Sequence, residues 1–131
     1  MQHEGGCLCG AVRYAVTAAP QFSAICHCQT CRRAAAAASV AWLTFETAAF
    51  RWLRGEPRSF RSSPDVVRTF CEHCGTPLTY AHARSPLTLD VTTLSMDEPA
   101  SFPPTREVWL AHRIAWTPAN AALTGFPHGG A

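Results

Sequence analysis

Lysine is absent from the sequence: every one of its 11 basic side chains is an arginine. Schiff-base chemistry and the lysine of a phosphate-binding loop are thereby excluded. The opening MQHEGGCLCG has neither a basic stretch nor an apolar run. No apolar segment approaches the roughly 20 residues that a membrane-spanning helix needs. The expectation is a cytoplasmic protein without a membrane partner. H-E-x-x-H is missing, which removes the usual zinc-protease arrangement. A zinc deaminase needs a catalytic glutamate beside its metal ligands and a proline before C-x-x-C. Here CHCQTC holds no glutamate, and no proline precedes either C-x-x-C. Repeats at a fixed period and low-complexity tracts are also absent. With 131 residues, 47% of them hydrophobic, the expectation is one domain spanning residues 1–131.

Short alternating or β-branched segments recur along the chain: AVRYAV (11–16), SVAWLTF (39–45), FRWLR (50–54) and VVRTF (66–70). PLTYAH (77–82), LTLDVTTL (87–94) and REVWL (106–110) continue the series. Such segments read as strands. The turn signals between them, RGEP, SSPD and ARSP, suit hairpins better than helical crossovers. The expected class is therefore mainly β and antiparallel. QTCRRAAAAA (29–38) is the exception, with good helix formers and no proline or glycine, and predicts one short helix.

Seven cysteines fall into three clusters: Cys7 and Cys9, then Cys26, Cys28 and Cys31, then Cys71 and Cys74. An odd total in a reducing compartment points to metal ligands or redox groups rather than a disulfide framework. FCEHCG carries the strongest signal, because a tight turn can aim both of its thiolates at one tetrahedral ion. That pair needs another, and Cys7 and Cys9, flanked by glycines, can supply it. Cys26, Cys28 and Cys31 would then hold a second zinc with one open position, the pattern of a catalytic site. Spacing leaves alternatives open: Cys26 and Cys28 could pair with Cys71 and Cys74, and His27 or His73 could complete a closed site. A redox C-x-x-C at Cys28 and Cys31 lacks the βαβ context that such motifs occupy. Thiols that bind zinc do so as thiolates. Seven thiolates with two zinc ions would change the formal charge from +2 to −1. A broad nucleic-acid footprint is not expected at that charge.

GGCLCGAVRY, CHCQTCRR, FRWLRGEP and FCEHCGTPLTY together resemble the signature blocks of the glutathione-dependent formaldehyde-activating enzyme (GFA) family, which includes the centromere protein V domain. The resemblance runs from about residue 5 to 116, with all seven cysteines in register. It implies a zinc-stabilised β-tent fold with a structural zinc on Cys7, Cys9, Cys71 and Cys74. It implies a catalytic zinc on Cys26, Cys28 and Cys31. The implied reaction is a carbon-sulfur lyase reaction, in which a thiol such as glutathione binds an open zinc and adds to formaldehyde or a related small electrophile. The chain departs from the family pattern at AAAAAS (34–39), where members commonly carry serine and glycine.

The related domains also suggest a second function, a non-catalytic zinc module that binds a protein or chromatin partner. Two closed metal sites without thiol binding would distinguish it. Arg32 and Arg33 could bind the carboxylates of a glutathione-like substrate, or form a solvated helix face. Trp109 and Trp116 suit a core or pocket wall better than chemistry, and His112 and Arg113 lie between them. His27 and His73 sit inside the cysteine motifs and are expected to be exposed. Glu72 and Asp90 are the acids placed to carry a proton.

Overall fold

The structure, a computed structural model, describes residues 2–130. Two sheets make up its frame. Strands β1 (His3–Gly6), β2 (Arg13–Val16) and β5 (Phe50–Arg54) form the smaller one, in the order β1-β2-β5. The larger sheet contains β3 (Phe22–Cys26), β4 (Val40–Glu46), β6 (Arg58–Ser63), β7 (Val66–Phe70), β8 (Pro77–His82), β9 (Thr88–Thr92), β10 (Arg106–Val108) and β11 (Thr124–Gly125). Its order is β11-β10-β3-β4-β9-β8-β7-β6. The fold is thus mainly β, with one short α-helix, as expected. FRWLR, VVRTF and PLTYAH coincide with β5, β7 and β8.

Pairing is antiparallel except at one edge, where β10 runs parallel to both β3 and β11. A strand arriving through the long irregular stretch after β9 is not bound to the hairpin geometry that makes its neighbours antiparallel. β10 lies beside the strand that ends at Cys26, with Val108 opposite that cysteine.

The helix α1 covers Gln29–Ala35, shorter than the alanine run. Ala36 turns left-handed at φ 52° and ψ 44°, and the Ala37 N–H closes onto the Arg32 carbonyl. The cause is tertiary. Cys26, the last residue of β3, pairs with Val40, the first of β4, so the helix must end where the chain can return to its starting point.

The main core lies between the sheets. Tyr14 and Val16 from β2 pack in one cluster with Leu43, Phe45, Leu78 and Val91 of the larger sheet. Each fully buried apolar side chain of this kind stabilises the fold by about 1.5–3 kcal/mol. The Tyr14 hydroxyl is paired with Ser95 Oγ at 2.7 Å. β1 passes directly over that bond. A Cβ on Gly5 would collide with Tyr14 Oη and stand 2.6 Å from the Ser95 carbonyl oxygen. Gly5→Ala should therefore destabilise the fold by about 2–3 kcal/mol, read as a lower midpoint in urea; an unchanged midpoint would contradict this close approach.

Candidate metal centres and active site

The turn between β1 and β2 carries Cys7 and Cys9, and the turn between β7 and β8 carries Cys71 and Cys74. The four sulfurs all lie within 4.8 Å of one another. Cys7 and Cys9 are 3.6 Å apart, and Cys9 and Cys71 3.8 Å. Thiolates placed about 2.3 Å from a tetrahedral zinc stand about 3.8 Å from each other, so both the spacing and the soft donors fit such an ion. Among the described residues this is the one group of three or more metal-ligating side chains gathered so closely.

Local contacts fix both turns. Gly75, at φ +80°, lets its N–H reach the Cys71 carbonyl at 2.8 Å. The Val12 N–H points at Cys7 Sγ, 3.3 Å away. Thr76 joins the two turns: its hydroxyl accepts from the Leu8 N–H and lies 3.2 Å from Cys74 Sγ. Hydrogen bonds from the Thr76 side chain and backbone hold the Cys74 thiol down at about 5.

Cys26, Cys28 and Cys31 surround the start of α1. Cys26 and Cys31 are buried in a second cluster with Val40 and Trp42, and Cys28 is half-buried. The hydrogen bond from Cys26, reinforced by Arg68, lowers the Cys31 thiol to about 6, while the same contact pushes Cys26 up. Cys28 Sγ lies 3.2 Å from Thr30 Oγ1, and the three sulfurs do not close within 4.8 Å as the other four do. Three soft donors around a helix start still suit zinc in chemical kind.

Arg68 was invisible to sequence reading. It sits on β7 opposite Tyr80, is 5% exposed, and brings Nη2 to 3.5 Å from Cys31 Sγ. Its Nε donates to Ser62 Oγ at 2.8 Å, and the guanidinium lies 4.9 Å from the Tyr80 ring centroid. Two cavities flank the cluster, and Cys31 and Trp42 line both. One, of about 400 Å³, has mainly apolar walls and Arg68. The other, of about 200 Å³, joins all three cysteines to Thr30, Tyr80 and Asp90. Asp90 accepts a 2.6 Å hydrogen bond from the Thr44 hydroxyl, and burial raises its carboxyl to about 6.

The remaining candidates fall elsewhere. Glu72 is on the surface, paired with Arg58 and close to His73. His73 is exposed as expected. His27 is not: it is 1% exposed, with Nε2 2.9 Å from Glu107 Oε1. Glu107 lies 80 positions away, beyond what local spacing can reveal. Arg32 donates to the His27 carbonyl, and both Arg32 and Arg33 line a shallow hollow with Ile114 and Trp116. Trp109 packs against the triad cluster, whereas Trp116 is 77% exposed. His112 Nδ1 accepts from the Gln29 N–H, at the start of α1.

Two outcomes follow from these sites. Cys74→Ser should remove the four-sulfur junction and lower Tm by more than roughly 10 °C, whereas Cys28→Ser should leave Tm within a few degrees; equal losses, by thermal scan, would contradict the division. The folded pKa of Asp90 is raised, so the folded chain binds more protons than the unfolded one between about pH 4 and 6, and stability falls as pH rises through that window. Asp90→Asn should add about 2–3 kcal/mol at pH 8, a gain that shrinks toward pH 5 in urea titrations. A gain independent of pH would assign the effect to something other than this carboxyl.

A solved structure from Rhodobacter sphaeroides has a similar fold, with a TM-score of 0.63 and 19% identity over 94% of this chain and 98% of that one. Among curated proteins none matches the chain. No helix among the described residues is long and apolar enough to cross a membrane. The model of the family described as "Glutathione-dependent formaldehyde-activating enzyme" matches residues 2–112. The chain belongs to the GFA family.

Proposed function

We propose that the protein is a zinc-dependent carbon-sulfur lyase with two zinc ions per chain. One ion is held by Cys7, Cys9, Cys71 and Cys74 and serves the fold; the other is held by Cys26, Cys28 and Cys31 and serves the reaction. A small thiol such as glutathione binds at the triad, and its sulfur adds to the carbonyl carbon of formaldehyde or a related small electrophile. The observation that supports this reading best is that all three triad cysteines line one cavity, while Cys31, with a buried guanidinium against it, also lines the larger cavity beside it.

A zinc ion on the triad would lower the pKa of the incoming thiol and fix its sulfur near the carbonyl carbon. The protein's own groups supply the rest. Arg68 offsets negative charge at Cys31 Sγ inside a poorly solvated cluster, where a charge-assisted hydrogen bond is strong. Cys26 and Cys31 are fixed by burial, while half-buried Cys28 leaves the cluster accessible from one side. The forming bond joins sulfur to carbon, the carbonyl π pair moves to oxygen, and the thiol proton ends on that oxygen. Asp90 lines the same cavity as the triad, and its raised pKa suits it to hold the proton in transit. The reverse sequence breaks the carbon-sulfur bond.

The test is NMR exchange spectroscopy of glutathione with isotopically labelled formaldehyde. The zinc-loaded protein should speed formation and breakdown of the adduct at least about tenfold, and Cys28→Ser should return the rate to background with its circular dichroism intact. Background exchange with the folded, zinc-loaded wild type would overturn the proposed reaction.

A further inference from the structure

The larger cavity beside Cys31 is far roomier than formaldehyde requires. Its volume is about 400 Å³, within the range of pockets that enclose whole organic ligands. Trp42, Val40, Phe60, Phe70 and Pro77 give it aromatic and aliphatic walls. Cys31 of the triad and Gly75 of the β7–β8 turn both line it. Among the described residues lining it, Arg68 is the one basic or acidic side chain.

That arginine is unusual in its surroundings. It is 5% exposed, yet among the described residues no carboxylate lies within ion-pair distance of it. A guanidinium has five N–H groups, and two are occupied here, one by Ser62 Oγ and one by Cys31 Sγ. The Tyr80 face supports the cation without using a donor. Nη1 has no partner among the described residues and is not fully buried, so an anion entering the cavity could accept from it in a charge-assisted hydrogen bond. The neighbouring Thr69 and Thr79 hydroxyls are paired with each other, so Arg68 is the group available to fix a polar end.

We propose that this cavity is a binding site for an apolar carboxylate, with the carboxylate on Arg68 and an aromatic or branched hydrocarbon body among Trp42, Phe60 and Phe70. Its role as the seat of one reaction partner rests on the thiol-addition reading, because the ligand would lie against Cys31; the ligand chemistry itself does not. The competing explanation is that Arg68 serves only to neutralise Cys31, in which case the cavity would not distinguish an acid from its neutral amide.

Calorimetry with phenylacetate and phenylacetamide separates the two. On the reduced, zinc-loaded protein phenylacetate should bind at least about tenfold tighter than the amide, the scale expected of a charge-assisted pair. Arg68→Gln should abolish the preference. Phe60→Ala, at a 42% exposed position on the edge strand β6, should weaken both probes and keep the preference. Equal affinity of acid and amide, or no saturable binding by the wild type at about 10 mM probe, would overturn the site. Phenylacetate binding that survives in a protein inactive in glutathione–formaldehyde exchange would leave the site standing while the lyase reading falls. An active protein that binds neither probe would do the opposite.

Discussion

Four sulfurs drawn from two distant turns have to share one small volume, and much of the structure is arranged around that requirement. Cys9 and Cys71 are 62 positions apart in the chain and 3.8 Å apart in space. One turn belongs to the smaller sheet and the other to the larger, so their meeting fastens the two sheets at one end. Thiolates at such separations repel one another unless a cation lies between them. The main core, which includes Cys7 and Cys71, then fills the space that the junction defines. A metal ion bound at this junction would add its binding free energy to that of the core.

The same junction reaches the cysteine triad through one strand. β7 enters the second turn at Cys71, and Arg68 lies three residues upstream on that strand. Pairing with β8 puts Arg68 opposite Tyr80 and sets the guanidinium against Cys31. On the far side, β3 and β10 hold Cys26 and Val108 in register, and the His27–Glu107 pair secures the loop that follows. The triad is therefore gripped from both flanks, while half-buried Cys28 remains accessible. On the proposed reading, the closed junction is the fold-holding metal site and the accessible cluster the reactive one.

How much of this could be read in the sequence depends on the range of each signal. Cysteine spacing is local: it marked three clusters and left more than one way of combining them, and the structure brings Cys7, Cys9, Cys71 and Cys74 together. Strands with β-branched alternation, such as VVRTF, were equally legible. β1, β3, β6 and β11 were not: HEGG is short and glycine-rich, FSAIC runs straight into the cysteine motif, RSFRSS is an edge strand with polar residues on both faces, and β11 is two residues long. The helix stopped earlier than its alanines suggest, since strand registry overrides propensity. Arg68 reads in isolation as a surface arginine; its burial depends on a cysteine 37 positions away. His27 was expected outside and lies inside for the same reason, its partner being remote in sequence.

Native mass spectrometry of the reduced, folded chain tests the central division most directly, because it counts ions without relying on turnover. The account predicts two zinc ions per wild-type chain, with Cys28→Ser retaining one and staying folded. A single zinc in the wild type that survives in Cys28→Ser would contradict it, leaving one structural metal and no metal at the triad.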